Sequence, residues 1–344
     1  MKNNRASLKI SVAVATYNNA DFLVEQLNSI VNQTLPPDEI IIGDDASTDN
    51  TVEILKDFAE HSPVETKIFF NPVNIGFIRN FNSIIDRCEG DVIFLSDGDD
   101  KWMARKIEKM VEVFQTAPDV GLVFSNAEYA DFNLELLGQT IANKDLSDED
   151  KLKIEEGKIF EILVKRNIIA GAFSAFKSEY RKYFSPLPYN LSIYHDAWIS
   201  LVISSMAKVG YIKQPLSIYR QHSAQVTEVF RTEAKKNLNQ EAMCEKAILF
   251  YNEKINTLNY LSEILRKIFE ENAEIKQLRQ SLEVIENQIV NYQNAGEHFM
   301  IRKNIHSHDL NGFLKISKEF WSGKYHKFSN GTLSFFKDLQ LLIK

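Results

Sequence analysis

Short apolar strands alternate with amphipathic helices through the first 130 residues, and this alternation constrains the fold more than any other feature of the chain. Runs of β-branched and aliphatic residues are typical of strands buried on both faces, and the segments between them carry apolar residues at helical spacing. Strands joined through helices by short connections form a mostly parallel sheet with helices on both faces. We predict strands over residues 9–15, 39–43, 66–70, 91–95 and 120–125, and helices over 21–34, 80–88, 104–116 and a segment ending at 58.

The character of the chain changes near residue 226. Before that point we predict a polar loop over 133–154, an apolar segment over 161–176, a helix over 196–207 and a strand over 210–220. After Pro215 there is no proline, and no glycine occurs until Gly296, so this stretch is predicted to be helical. We therefore expect an α/β domain over 1–225, a helical domain over 226–300 and a C-terminal tail over 301–344.

The composition excludes several classes of protein. The 344 residues include 40 basic and 47 acidic side chains, and a net charge of −7 argues against generic nucleic-acid binding. Two cysteines fit a reducing compartment better than a disulfide framework. The first eight residues lack the apolar core of a signal peptide, and no apolar run approaches the roughly 18 residues of a membrane span. We expect a cytoplasmic protein.

The tail departs from the average charge. Residues 301–344 contain eight basic and three acidic side chains, with seven aromatic residues interleaved among them. Clustered lysine, tryptophan and phenylalanine are typical of elements that dock on anionic lipid, which would make the protein peripheral on the cytoplasmic face of a membrane. A tail that packs on its own body with solvated lysines explains the pattern equally well.

The most informative motif is the acidic turn Ser96-Asp97-Gly98-Asp99-Asp100-Lys101-Trp102, which follows a predicted buried strand. Its three carboxylates repel one another, and a cation would relieve that repulsion. Mg²⁺ or Mn²⁺ needs one or two protein carboxylates when a diphosphate supplies the other oxygens. Trp102 stands where an EF-hand loop requires glycine. A solvated turn is the alternative, but ligands bind at the carboxyl ends of such strands, which favours a metal–diphosphate site.

A second acidic turn, Gly43-Asp44-Asp45-Ala46-Ser47, ends the second predicted strand. A carboxylate there can accept hydrogen bonds from a ribose hydroxyl or a base N–H. Capping of the next helix by Ser47, Thr48 or Asp49 is the structural alternative for those residues. Two adjacent aspartates before the cap exceed what capping needs.

Together the segments SVAVATYNN, EIIIGDDASTD and FLSDGDDKW resemble the family 2 nucleotide-sugar glycosyltransferases of GT-A fold. The chain is most similar to the bacterial, rhamnosyltransferase-like group with Ser-Asp-Gln-Asp-Asp-x-Trp, although Gly98 replaces the glutamine. The resemblance covers about residues 8–225. It implies a Rossmann-like GT-A domain, followed here by a helical region. It further implies inverting transfer of a sugar from a UDP- or dTDP-sugar to a glycan hydroxyl, with Mn²⁺ or Mg²⁺ as cofactor.

The resemblance also implies roles for single residues. Asp45 matches the nucleobase contact, and Arg79 matches a position near the nucleotide, although a solvated helix residue is equally consistent with Arg79. The residues implied to line the nucleobase pocket are Ala15, Thr16 and Tyr17.

On the donor's phosphate side, Asp97 matches a carboxylate that faces the ribose or the metal, and Asp99 matches the direct metal ligand. His222 matches a position that completes the metal site or contacts the diphosphate. Arg220 is a candidate to neutralise the leaving phosphates.

On the acceptor side, Asp196 in the segment Tyr194-His195-Asp196 matches the family's general base. The acceptor hydroxyl must lose a proton as it attacks the anomeric carbon, and a carboxylate in a partly apolar pocket suits that task. Asp196 can cap the following helix at the same time. His195 is interpreted as structural.

The resemblance places the enzyme in the synthesis of bacterial surface polysaccharide (O-antigen or capsule) or glycoconjugates, with an acceptor that can be linked to polyprenyl diphosphate. A non-catalytic module that binds nucleotide sugar or carbohydrate is the alternative, and the complete carboxylate set argues against it. The first strand lacks the glycine-rich motif of a dehydrogenase. Packing over the acceptor side and homodimer formation both remain open for the helical region.

Overall fold

The computed structural model describes residues 8–222, 239–272, 275–305 and 310–343. The chain divides into two compact units, Met1–Gln225 with Ile268–Ser281, and Val226–Lys267 with Leu282–Lys344. The predicted boundary near residue 226 lies outside the described residues. The division of the second half into a helical domain and a separate tail stays a prediction.

Within the described residues, nine strands of the first unit form one sheet. They are β1 (Ile10–Thr16), β2 (Glu39–Asp44), β3 (Glu65–Phe70), β4 (Val92–Asp97), β5 (Lys101–Trp102), β6 (Val120–Ala130), β7 (Leu136–Thr140), β8 (Ser174–Lys177) and β9 (Lys208–Arg220). The strand order is β3-β2-β1-β4-β8-β6-β9-β5, with β7 beside β6. Neighbours from β3 to β4 are parallel, as are β6 and β9, whereas β8 is antiparallel to both of its neighbours. The predicted α/β, mostly parallel sheet is confirmed.

The first unit contains the five helices that the sequence predicts, in the predicted order, and four short helices between residues 141 and 184 that it does not predict. They are α1 (Leu23–Val31), α2 (Thr51–His61), α3 (Phe77–Arg87), α4 (Lys106–Thr116), α5 (Ile141–Lys144), α6 (Asp148–Glu155), α7 (Ile159–Leu163), α8 (Arg181–Phe184) and α9 (His195–Ser204). Two 3₁₀ turns, Gly171–Phe173 and Ser178–Tyr180, flank β8.

One face of the sheet packs against α1, α2 and α4. Ile40 and Ile42 of β2 share a buried cluster with Leu27 of α1, Leu55 of α2 and Ile107 of α4. Alternate residues of a strand point to opposite faces, which explains why two residues that are two positions apart lie in the same cluster.

The other face packs against α3. A Cβ on Gly43 would lie 2.4 Å from the Oδ1 of Asn80 and 2.6 Å from the Cγ2 of Ile84, both of which belong to α3. Only glycine lets this helix approach the end of β2 so closely. The helices therefore cover both faces of the sheet, as predicted.

Two local predictions were wrong. The predicted loop over 133–154 contains β7, α5 and α6, and α6 begins with a reciprocal capping box between Ser147 and Asp150. The N-cap residue of α2 is Asn50, and the hydroxyl of Ser47 donates to Asp44 instead of capping the helix. Asp49 does accept the backbone N–H of Thr51 in the first turn.

The described part of the second unit is helical, which confirms the predicted C-terminal helical region. Its helices, the first two of which share Ile268–Ser281 with the first unit, are α10 (Gln240–Glu271), α11 (Lys276–Lys303), α12 (Leu310–Trp321), α13 (Lys324–Phe328) and α14 (Thr332–Ile343). None of the helices in the described ranges combines the length and the apolar content that crossing a membrane would require.

Candidate active site

The carboxyl ends of β1, β2 and β4 bring both acidic turns to one edge of the sheet. Ala15 of β1 pairs with Gly43 on one side and with Asp97 on the other. The turns that follow β2 and β4 therefore flank the end of β1. This is the position at which open α/β sheets bind ligands.

Asp45 is buried, and its carboxylate organises the loop that leads into α3. It accepts hydrogen bonds from Asn71 Nδ2 (3.0 Å) and from the backbone N–H groups of Ile75 and Gly76 (2.8 Å each). Gly76 adopts a positive φ of 85°, which suits glycine. The implied contact between Asp45 and a nucleobase stays a prediction.

The residues implied to line the nucleobase pocket lie where β1 ends. Thr16 is buried and donates its hydroxyl to Asp44 Oδ1 (3.1 Å). Tyr17 is exposed, and Ala15 is partly buried between the two neighbouring strands. Arg79 projects from α3, where its guanidinium lies 4.6 Å from the ring centroid of Tyr189.

The turn after β4 gathers Asp97, Asp99 and Asp100, whose carboxylate oxygens lie within 4.8 Å of one another. Burial, reinforced by the charges of Asp99 and Asp196, raises the pKa of Asp97 to about 7. Burial also raises the pKa of Asp100 well above its ordinary value, with Asp99 and Asp97 adding to the effect.

The donor set of this acidic triad fits a hard divalent cation. Among the described residues, Asp100 Oδ2 is buried without a hydrogen-bond partner. A cation would relieve both this unmet requirement and the mutual repulsion of the carboxylates.

Lys106 lies beside the triad, and the sequence reasoning missed it. This lysine is fully buried at the start of α4, where its Nζ donates to Ala172 O and to Ser217 Oγ (3.0 Å) and lies 4.0 Å from the ring centroid of Trp102. Burial lowers the pKa of Lys106 to about 7, although Asp100 and Asp97 oppose that shift. The sequence did carry one sign that Lys106 is buried. It stands four residues before Met110, which places it on the apolar stripe of α4.

Arg220 at the end of β9 braces the acidic turn. Its side chain is 4% exposed, and its Nε donates to Asp99 O (2.8 Å) while its Nη2 donates to Glu25 Oε2 (2.8 Å). Its Nη1 donates to Phe132 O, so each guanidinium nitrogen has an acceptor within the protein. The implied contact with leaving phosphates stays a prediction, and the role of Glu25 as its partner was missed.

His222 lies beside the acidic triad. Its Nε2 is 3.0 Å from Asp99 Oδ2, and its ring centroid is 4.5 Å from that of Phe22. The fold therefore brings His222 to the neighbourhood that the resemblance implied. Its role as a metal ligand stays a prediction.

Asp196 lies in the first turn of α9, where two backbone groups fix its carboxylate. Its Oδ2 accepts the N–H of Gly171 (3.0 Å), and its Oδ1 accepts the N–H of Ala197 (2.6 Å). Its charge contributes to the raised pKa of Asp97, which places it near the triad. Tyr194, two residues before Asp196, exposes its ring beside Phe77 with a centroid distance of 5.4 Å, an aromatic contact that the sequence reasoning missed. The sequence indicated this contact only by placing an aromatic residue two positions before Asp196.

His195 is buried next to Asp196. Its ring stacks on Phe81 with a centroid distance of 3.8 Å, and neither ring nitrogen has a hydrogen-bond partner among the described residues. Burial lowers the pKa of His195, although the charge of Asp196 opposes that shift. The imidazole is therefore neutral in the folded protein at pH 7.

The His195→Gln variant is expected to lose stability less steeply than the wild type as the pH falls from 7 to 5. The unfolded chain binds a proton near pH 6.5 while folded His195 binds it only at lower pH, so this histidine destabilises the folded state on acidification by at most about 1.4 kcal/mol per pH unit. Urea titrations at several pH values measure the slope. The control is His61→Gln, because exposed His61 has a raised pKa and the opposite sign. Equal slopes for His195→Gln and the wild type would contradict the expectation.

Comparisons with known proteins agree with the fold and the motifs. A model of the family described as Glycosyl transferase family 2 matches residues 11–184, about half of the chain. An uncharacterized glycosyltransferase of Nostoc sp. is 30% identical over 255 residues, which cover 72% of this chain and 75% of that protein. An uncharacterized glycosyltransferase of Haemophilus influenzae is 24% identical over 318 residues, 90% of this chain and 96% of the other.

A solved structure shares the fold. Residues 1–349 of S. aureus TarS, crystallised in complex with UDP-GlcNAc, superpose with a TM-score of 0.56 at 14% identity, and the match covers 92% of each chain. At that identity the likeness shows the architecture alone. It extends beyond the sheet, because it covers nearly the whole of both chains.

Proposed function

The chain belongs to glycosyl transferase family 2, and we propose that it is an inverting, metal-dependent enzyme that moves a sugar from a nucleoside diphosphate to a glycan hydroxyl. Family members in general invert the anomeric configuration. The observation that carries the proposal is the pairing of the acidic triad with a separate, backbone-anchored carboxylate, Asp196. In this proposal the acidic triad faces the donor's phosphates and Asp196 faces the acceptor.

On the donor side, Asp97, Asp99 and His222 would hold Mn²⁺ or Mg²⁺. When bound, the cation supplies Lewis-acid stabilisation of the diphosphate leaving group. The raised pKa of Asp97 and the unpartnered Oδ2 of Asp100 support a cation here. Arg220 contributes by holding Asp99 in place through the Asp99 carbonyl.

On the acceptor side, Asp196 accepts the proton of the attacking hydroxyl. The oxygen–carbon bond to the acceptor forms as the bond between the anomeric carbon and the diphosphate breaks, so a single displacement inverts the configuration. The N–H groups of Gly171 and Ala197 orient the carboxylate before the substrate arrives. Such pre-set geometry removes part of the entropic cost of the reaction.

The nucleoside binds at the end of β1 in this proposal, between Asp45 and Arg79. Support comes from the register of the sheet, because Thr16 pairs with Asp44 at the same edge as the acidic triad. The side chains that would line this pocket are Ala15, Thr16 and Tyr17.

The donor is expected to be a UDP- or dTDP-sugar, and the rhamnosyltransferase-like motif favours dTDP-rhamnose. In a thermal-shift screen with Mn²⁺, a donor at 100 times its Kd should stabilise the folded protein by about 2.7 kcal/mol, since ligand that binds only the folded state stabilises it by mass action. Free nucleosides and metal without nucleotide serve as controls. Stabilisation by UDP-hexoses but not by dTDP-rhamnose would reject the rhamnosyl preference while leaving the transfer chemistry intact.

The acceptor is proposed to be a growing surface polysaccharide (O-antigen or capsule) or glycoconjugate, which can be linked to polyprenyl diphosphate. Phe77 and Tyr194 support a glycan acceptor, because their rings adjoin each other two residues before Asp196 in the chain, at Tyr194, and offer an apolar surface to a sugar. Nucleotide sugars are cytoplasmic metabolites, so we propose that transfer takes place in the cytoplasm.

A non-catalytic binding module is the second candidate function. It would need the nucleotide pocket and the triad but not a general base. The two backbone hydrogen bonds that orient Asp196 favour the enzyme, because they hold a carboxylate in a fixed orientation near the triad, as a general base requires. The effect of an Asp196 substitution separates the candidates, since a binding module has no transfer to lose.

A further inference from the structure

The last three helices, α12 to α14, have an inner face that forms a small core. Ile316 of α12, Tyr325 of α13 and Leu342 of α14 are buried together with Ile305. These contacts bury the apolar residues on one side of each helix. The opposite sides, which we call the outer faces of α12 and α14, carry further apolar residues.

The outer face of α12 combines aromatic, aliphatic and basic side chains. Trp321 is 85% exposed and Leu314 is 65% exposed. Lys318 stands four residues after Leu314 and three residues before Trp321, so the three side chains share one face of the helix. A tryptophan this exposed keeps its large apolar surface in water instead of packing it into the core of the unit.

The outer face of α14 has the same composition. Leu333 is 69% exposed and Phe336 is 60% exposed. Exposed Lys337 stands four residues after Leu333, which places it on the same face. Both outer faces therefore present large apolar groups with a lysine beside them.

The acidic side chains of these helices do not offset the lysines at the surface. Within residues 310–343 the acids are Glu319 and Asp338, and both are buried. Glu319 pairs with His298 Nδ1 (3.0 Å) and Lys324 Nζ (3.1 Å). Asp338 accepts hydrogen bonds from Arg302 Nε (2.7 Å) and from the hydroxyl of Tyr325 (2.6 Å).

The exposed charge of residues 310–343 is consequently all positive. Its exposed carriers are Lys315, Lys318, Lys327 and Lys337. The sequence has three acidic residues in the tail, but the two that lie in the described helices are buried and paired inside the protein. A count along the sequence therefore overstates the negative charge at this surface.

We propose that the outer faces of α12 and α14 dock on an anionic lipid bilayer. The residues proposed to contact the bilayer are Leu314, Lys318 and Trp321 on α12 and Leu333, Phe336 and Lys337 on α14. Lysines are attracted to anionic headgroups, and tryptophan, phenylalanine and leucine enter the boundary between headgroups and acyl chains. A second copy of the chain fits these faces poorly, because the exposed charges of both copies would be positive and would repel each other. Exposed leucines also match acyl chains better than they match a nucleic acid or an acidic peptide.

The proposal is independent of catalysis, since none of its residues belongs to the active site. The full-length protein is sedimented with vesicles of phosphatidylcholine alone or mixed with phosphatidylglycerol, without substrate, at low and high salt. We expect binding to the anionic vesicles only, and weaker binding at high salt.

Two variants locate the docking surface. Lys318→Gln combined with Lys337→Gln should weaken binding about 30-fold, because each lysine near an anionic surface contributes about fivefold. Trp321→Ser should also weaken binding, and its exposure predicts an unchanged melting temperature. The matched controls are Lys208→Gln with Lys213→Gln, which are exposed lysines of β9, and Leu152→Ser, an exposed leucine of α6.

Three outcomes would overturn the proposal. One is equal sedimentation with neutral and anionic vesicles. Another is anionic binding that the control variants weaken as much as the outer-face variants do. The third is no binding to vesicles together with concentration-dependent self-association that Trp321→Ser abolishes, which would assign the surface to a homodimer.

Discussion

Replacing Asp196 by asparagine should lower the rate of sugar transfer by about 10²–10⁴-fold, because positioned general bases contribute that much and an amide does not take a proton at neutral pH. Donor binding should change little, since the substitution leaves the acidic triad and the proposed nucleotide pocket intact. Steady-state kcat with a saturating donor, together with the donor Kd from calorimetry, measures the two effects separately.

The structure also predicts a side effect of this substitution. Both carboxylate oxygens of Asp196 accept a backbone N–H, from Gly171 and from Ala197, whereas an amide has only one oxygen. The variant therefore loses one hydrogen bond, worth about 0.5–1.5 kcal/mol, and its melting temperature should fall modestly. Asp119→Asn, an exposed aspartate paired with Lys208, is the control. Transfer within threefold of the wild type would remove Asp196 from the mechanism.

Replacing Asp99 by asparagine should weaken metal-dependent donor binding by about 100-fold or more, because even residues that only support a metal ligand change metal affinity by 10–100-fold. Transfer should fall at least as far. Donor Kd at a series of Mn²⁺ concentrations measures the effect. The contrast with Asp196→Asn is the informative result, since one variant loses binding and the other loses only the chemical step.

The same Asp99 substitution should not destabilise the metal-free protein. The charge of Asp99 contributes to the raised pKa values of Asp97 and Asp100, so its removal relieves repulsion within the triad, while the oxygen of asparagine can still accept a hydrogen bond from His222 Nε2. We expect a melting temperature at or above that of the wild type in the presence of a chelator, with Asp119→Asn again as the control. A clear loss of metal-free stability, or donor binding that Mn²⁺ strengthens as much as in the wild type, would contradict the assignment.

The grouping of the acidic turns at one edge of the sheet was largely predictable because its parts are local. A buried strand followed by an acidic turn is visible in a dozen residues, and the alternation of strands and helices places successive turns at one edge of the sheet. Asp97, Asp99 and Asp100 lie together for this reason. The position of the proposed nucleotide pocket follows from the same logic, since Thr16 and Asp44 end adjacent strands.

Residues that act through distant partners were not predictable. Glu25 and Arg220 lie 195 residues apart in sequence, and no periodic pattern marks their ion pair. Lys106 stands on an apolar stripe, and only its tertiary contacts with Ala172 and Ser217 make its burial intelligible. The segment over 133–154 has weak periodicity and polar composition, so its short elements depend on packing rather than on propensity.

The sequence by itself determined the α/β architecture, the family and the position of the acidic turns, since hydrophobic periodicity and short motifs are properties of neighbouring residues. Only the tertiary structure decided which charges are free to act. It buries the guanidinium of Arg220 against its acceptors. It also buries Glu319 and Asp338, whereas the lysines of α12 and α14 stay exposed to water. The physical reason is that the free energy of a charge depends on burial and on partners from distant parts of the chain, which a count along the sequence does not contain.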